Sequence, residues 1–221
     1  MTDWAAQVAR EEERYRDGIE RLPEDSDARQ RQLTRTGNAA YGAGLAQLMQ
    51  GDREAAADWF RRAAERYRES FAEAPPGSWG RPIGAIKARI LAGDLDGAED
   101  DSRWALEAGA AEAESPIGKY AAALAQLMLG DHDAARAHAD EIRTLEDFPN
   151  DVGDALAFIS AADVLGYSTA VESVLESFER REEYLEDIAV ADTVLVLQAL
   201  AERRGIQPAE LESSLLPSPA R

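Results

Sequence analysis

The sequence predicts an all-α fold of stacked antiparallel helical hairpins, and three observations carry that prediction. Residues Leu45–Ala56 (LAQLMQGDREAA) recur almost unchanged as Leu124–Ala135 (LAQLMLGDHDAA). A degenerate third copy, ARILAGDLDGA, lies between them at Ala88–Ala98. Apolar residues recur at three- and four-residue steps after each Gly-Asp pair, and nothing alternates with period two long enough to build a sheet.

The Gly-Asp pairs fall at Gly51, Gly93 and Gly130, and a weaker glycine junction follows at Leu165-Gly166-Tyr167. Spacings of roughly 34–45 residues mark helix-hairpin repeats. At each corner the glycine can take the left-handed conformation that ends a helix. The aspartate caps the next one by accepting a free backbone N–H. Glu54, Asp96 and Asp133 add negative charge to the first turn, where the helix dipole favours it. Capping accounts for these acidic pairs better than cation binding, because no Asp-x-Asp-x-Asp-Gly loop follows.

Helices are expected near 3–21, 26–50, 53–72, 83–92, 95–109, 117–129, 132–145, 151–165, 168–183 and 187–204, about ten in all, with a short helical turn after Pro208. Pro23, Pro75-Pro76-Gly77, Ser115-Pro116, Pro149 and Gly205 mark the breaks. In the third helix Ala55, Ala56, Trp59, Phe60, Ala63, Ala64 and Tyr67 form one apolar face. Ala135, Ala139, Ile142 and Leu145 do the same in the third repeat. The stretch from Tyr184 to Ala201 is apolar nearly all round. It reads as a buried helix that closes the array or sits in a dimer interface. The chain is thus expected to be one domain: N-terminal helices over 1–36, hairpin repeats over 37–183, a closing helix over 184–205 and an extended tail over 206–221, with Ser213–Arg221 free to move.

The three Gly-Asp units resemble degenerate tetratricopeptide repeats across about residues 37–145. Gly44, seven before Gly51, stands where that motif keeps a small residue. Ala56, Phe60 and Ala63 stand at its small–aromatic–small positions. The third unit keeps Ala123, Ala135 and Ile142 but has Ala139 for the aromatic. The second keeps Ala98 and Ala105, with Ile86 and Ser102 at the other places. The resemblance implies an α-α superhelix that binds other proteins, and it leaves the ligand open. The paired helices, the Arg203-Arg204-Gly205-Ile206 end of the last helix and the Leu215-Leu216-Pro217 tail are also similar to an all-α immunity-protein family of bacterial toxin systems. That similarity implies a partner toxin.

Charge excludes some classes of function. Among 221 residues, 24 are basic and 43 acidic, a net charge of −19, which repels a nucleic-acid backbone. Lys87 and Lys119 are the only lysines. Acidity with arginine in place of lysine resembles the cytoplasmic proteins of salt-accumulating archaea, whose self-repulsion molar salt screens. There is no cysteine, hence no disulfide and no thiolate metal site. The charged N-terminus lacks the apolar stretch of a signal peptide, and no run approaches the ~20 apolar residues of a membrane span. A cytoplasmic protein is expected.

Catalytic signatures are missing: no Gly-x-Ser-x-Gly, no phosphate loop, no His-Glu-x-x-His. Gly42-Ala43-Gly44 follows no strand and reads as helix packing. His132 and His138 lie six apart on one helix, about 240° around its axis, and cannot share a ligand. His138 with Glu141 would supply half a metal site. The expectation is therefore a protein without enzymatic activity, cofactor or metal, monomeric or dimeric, that binds a protein or peptide partner; the alternative is a small-molecule-binding or catalytic helical domain.

The candidate partner-binding residues are Asn38, Tyr41, Trp79, Lys87 and Tyr120. Tyr41 and Tyr120 occupy equivalent places ten before their glycines. Asn38 is one turn before Tyr41, and Lys87 lies one unit along the same face. The tyrosines either grip a partner or pack between helices with their hydroxyls in solvent. Trp79 is expected in a loop where a large aromatic has no core duty. Trp59 and Trp104 are expected in the core, and Trp4 as an anchor for the first helix.

Overall fold

The computed structural model describes residues 2–218 and contains ten α-helices and, among those residues, no strand. The helices are α1 (Trp4–Glu20), α2 (Ser26–Gln50), α3 (Arg53–Phe71), α4 (Gly80–Leu91), α5 (Leu95–Glu107), α6 (Pro116–Leu129), α7 (His132–Ile142), α8 (Asn150–Ala161), α9 (Val164–Glu179) and α10 (Asp192–Arg203). Each helix from α1 to α9 packs against the next, and α4, α6 and α8 also touch one another in sequence, which makes them the inner row. α10 lies against α4, α8 and α9. Alanines with no exposed surface fill the contacts, among them Ala40, Ala63, Ala85, Ala122 and Ala157, so the helices approach closely.

The corners are built by backbone hydrogen bonds of one kind. Gly51 (φ 87°), Gly93 (φ 67°) and Gly130 (φ 80°) are left-handed. The glycine N–H donates to the carbonyl three residues back and the aspartate N–H to the carbonyl five back, as in Gly51 to Leu48 (3.0 Å) and Asp52 to Gln47 (3.1 Å). The same aspartate then caps the following helix. Asp52, Asp94 and Asp131 accept from the N–H groups of Ala55, Gly97 and Ala134 at 3.0, 3.1 and 3.2 Å. One residue thus closes one helix and opens the next, which leaves a bend of two residues at Gly51 and Gly130 and of three at Gly93. In the first repeat the facing helices meet at Gly44, where an added Cβ would sit 2.7 Å from Phe60 Cδ1.

The fourth corner lies elsewhere than the glycine suggests. Ala162 takes the left-handed conformation (φ 54°), and Asp163 caps α9 by accepting from Gly166 N–H at 3.0 Å. Gly166 is inside α9, against the ring of Phe158, where its missing side chain allows contact. α4 also begins earlier than expected, at Gly80. Pro82 falls in its first turn, where a missing N–H leaves no bond unmade.

The closing segment departs furthest from expectation. Only Asp192–Arg203 is helical. Tyr184 to Ala191 forms a strap: a single 3-10 turn at Leu185–Asp187, with Glu186 and Asp187 both at φ 56°, followed by extended chain. Ile188 and Val190 are buried against α1–α4, and Ile188 packs on Gly42 of α2. Arg10 bonds the Glu186 carbonyl and Arg14 its carboxylate. α10 is buried within its own array through Val194, Val196, Leu197 and Leu200. The tail folds back instead of extending freely. Ala191 N–H donates to the Leu215 carbonyl at 2.9 Å, and Leu215 is buried. Among the described residues no helical turn follows Pro208. Residues 219–221, with Pro219, lie outside the described residues.

Candidate functional site

Helices α2, α4 and α6 and the turn before α4 carry the sequence-selected residues. α2 carries Asn38 and Tyr41, α4 carries Lys87, Trp79 precedes the first turn of α4, and α6 carries Tyr120. Two of them, Tyr41 and Lys87, converge on a residue that was not legible in the sequence: Asp192, the first residue of α10. Its Oδ2 lies 2.6 Å from Lys87 Nζ and accepts from the Tyr41 hydroxyl at 2.8 Å. Its Oδ1 accepts from the Thr193 N–H at 2.8 Å, and Lys87 also donates to Thr193 Oγ1 at 3.1 Å. The Tyr67 hydroxyl donates to Asn38 Oδ1 at 2.9 Å. The hydroxyl of Tyr41 therefore points to a carboxylate of its own chain and not to solvent.

Burial and pairing oppose each other here, and pairing wins at both ends of the ion pair. Burial pushes the Asp192 carboxyl up, but Lys87, Tyr41 and the Thr193 N–H outweigh it and hold the group below its ordinary value. Burial pulls Lys87 down, but Asp192 outweighs it and holds the ammonium above its ordinary value. Burial raises the phenols of Tyr41, Tyr67 and Tyr120. These shifts favour an ionised Asp192, a charged Lys87 and protonated phenols at neutral pH, and the bonds between them join α2, α4 and α10.

Two cavities flank this junction, and Lys87 lines both. The first, about 370 Å³, is lined by Asn38, Tyr41, Tyr67, Trp79, Arg81 and Lys87, with Leu185 of the strap on one side. The second, about 450 Å³, is lined by Lys87 and Tyr120 together with Ile117, Phe148, Val152 and Arg181. Tyr120 stacks at 5.3 Å on Phe148. Trp79 corrects its expectation: it is 9 % exposed, belongs to the core and packs on Phe71 at 6.0 Å. It does lie in the turn before α4, as expected, and what the sequence hid is that its ring is buried from there. Trp59 and Trp104 are half-buried and hold Arg62 and Arg68 over their rings. Ile117 and Phe148 carried no sequence signal beyond being apolar beside a proline.

His138 is taken up by backbone carbonyls. Its Nδ1 lies 3.1 Å from the Ala134 carbonyl and its Nε2 3.1 Å from the Ala111 carbonyl, and Glu141 pairs with Lys119. Among the described residues no three His, Asp or Glu side chains gather as a metal site. No helix among them is long and apolar enough to cross a membrane.

The tetratricopeptide repeat pattern matches residues 37–62 and 116–141. These are the first and third hairpins, each spanning one Gly-Asp corner. Over those residues the chain is similar to tetratricopeptide repeats, and its stacked helical hairpins have a tetratricopeptide-like architecture. The second hairpin, with Ile86 and Ser102 in place of the small and aromatic residues, falls outside both matches. Repeats of this kind generally serve as scaffolds for protein–protein interaction and not as catalysts. No curated protein and no solved structure matches the chain.

Proposed function

We propose that this tetratricopeptide-like protein is a non-enzymatic interaction module that receives a protein or peptide partner on its concave face, at the two cavities either side of Lys87. The observation that supports this is the adjacency of those cavities. Three successive inner helices contribute to them, and their walls mix aromatic and aliphatic side chains with a few polar groups, as binding surfaces do. Asn38, Tyr41, Trp79, Lys87 and Tyr120 line one or the other. Tyr41 and Lys87 also hold α10, so contact with a partner falls to the rim. Ile117, 42 % exposed beside Tyr120, is an open apolar group of the second cavity, as Leu185, 46 % exposed, is of the first.

The setting is a salt-rich cytoplasm, supported by the −19 net charge and the near absence of lysine. A toxin is the sharpest candidate partner, supported by the similarity to immunity proteins.

The test is affinity capture in molar KCl with the parent chain, Ile117→Glu, and Leu165→Glu as a control. Leu165 is 82 % exposed and does not line either cavity. A partner held by the parent and the control but lost by Ile117→Glu is expected. Equal recovery by all three would remove the concave face from consideration.

A further inference from the structure

Arg81 is a half-buried arginine with no carboxylate at ion-pair distance among the described residues; Arg204 is unpaired in the same way but lines neither cavity beside Lys87. Arg10, Arg29, Arg66, Arg89 and Arg143 are half-buried too, and each holds a carboxylate. In a chain with 43 acidic and 24 basic residues that is the default. Arg81 has only neutral partners. Its Nε donates to Ser70 Oγ at 2.7 Å and to Thr34 Oγ1 at 3.1 Å, and its Nη2 donates to Gln30 Oε1. Gln30 and Ser70 are themselves buried, and the Ser70 hydroxyl is also bonded to Thr34 and to the Gln30 carbonyl. The guanidinium is thereby fixed in place by α2 and α3, while Nη1 keeps no protein acceptor among the described residues. Burial pulls Arg81 below its ordinary value, with no acid opposing the shift. A half-buried cation without a counter-charge is unfavourable unless something outside the chain supplies one.

The cavity Arg81 lines has the rest of a site. Tyr67, Trp79, Ile83 and Leu185 give it apolar walls. Its other cation, Lys87, is already taken by Asp192, so Arg81 is the free positive charge. We infer that this cavity is a carboxylate site, in which Arg81 receives the carboxylate of a ligand whose apolar stem lies against Tyr67, Trp79, Ile83 and Leu185. A planar guanidinium pre-set by neutral acceptors suits a carboxylate in two-point contact. The volume of about 370 Å³ suits an arylalkanoic acid or one acidic side chain with an apolar neighbour. The inference rests on the concave face being a binding face and adds the chemical group it selects.

Binding is followed by isothermal titration calorimetry with two matched pairs of probes. The free-acid arm compares 3-phenylpropionate with 3-phenylpropanamide. The peptide arm compares acetyl-Phe-Glu-Phe-amide with its Gln counterpart. In the parent protein the charged member of at least one pair binds at least about ten-fold more tightly, and the arm that responds identifies the source of the carboxylate. In Arg81→Gln the preference falls below about two-fold. Since Arg81 also joins three helices, Leu185→Glu gives a second reading. Leu185 is 46 % exposed on the strap, and a glutamate there removes part of the apolar wall for both probes but weakens the acid several-fold more than the neutral probe, so the charge preference falls. Absence of a charge preference in both arms, or a preference that survives either folded variant, would overturn the inference. A preserved preference with no partner captured from cells would instead remove the macromolecular partner and keep the carboxylate site.

Discussion

The Tyr41 hydroxyl of α2 donates a 2.8 Å hydrogen bond to Asp192 of α10, across 151 residues of chain. With Lys87 of α4 it joins the first repeats, the second repeat and the closing helix at one buried carboxylate. Removing the donor alone, in Tyr41→Phe, leaves Asp192 with its lysine and is expected to cost about 1.5–3 kcal/mol, the range for a hydrogen bond to a charged group. Urea denaturation measures the loss, and an unchanged midpoint would show that the bond does not hold α10.

Lys87→Met is expected to cost more, about 3–5 kcal/mol at neutral pH, because it leaves a buried carboxylate without its cation. The pH dependence gives the sign. Asp192 is depressed below 3.8, so its contribution is present above that value and is lost as pH falls through the folded-state pKa. Lys87 is raised above 10.5, so its contribution is present below that value and is lost as pH rises through its folded-state pKa. The stability gap between parent and Lys87→Met should be widest between about pH 5 and 9 and should close in strong acid. A gap independent of pH would exclude the ion pair as its cause.

Ala162 occupies a position the other corners give to glycine. Ala162→Gly removes the clash of a Cβ in the left-handed region and is expected to stabilise the protein by about 1 kcal/mol. In a chain of this size that raises Tm by about 2–4 °C. A lower Tm would mean that the alanine side chain contributes more than its backbone strain removes.

Gly44→Ala tests the close contact in the first hairpin. The new methyl meets Phe60 and is expected to cost about 1–3 kcal/mol. Phe60→Leu in the same chain should recover part of that loss, as a double-mutant cycle would register. Strict additivity would place the two side chains out of contact.

Thermal melts in low and in molar KCl test the reading of the charge. With a net charge of −19, screening should raise Tm at high salt. Equal melting temperatures would separate the arginine-for-lysine composition from any need for salt.

The hairpins were legible because local chemistry decides them. A glycine that can turn left and an aspartate that can cap are readable within six residues, and α2 begins and ends where the sequence places it. Errors arose where a distant neighbour decides. Gly166 looks like a corner, but Phe158 on the opposite helix claims it for packing. Ile188 and Val190 fit a helix as well as they fit a strap. Their alternation beside Asp192-Thr193, a good helix start, was the signal for extended chain, and only the groove in α1–α4 gives it force. Asn38, Tyr41, Lys87 and Tyr120 could be placed on one face from the repeat register. Asp192 could not, because nothing near it in sequence marks it as the partner of Tyr41 and Lys87.

An open solenoid tolerates the gain or loss of a unit, since each hairpin touches only its neighbours. The strap removes that freedom. Another hairpin inserted between α4 and α9 would carry the start of α10 away from α2, and Glu186 away from Arg10 and Arg14. Like a buckle that fits one hole in a belt, the strap fixes the number of turns, so variants of this scaffold should differ in side chains and loop lengths and not in repeat count.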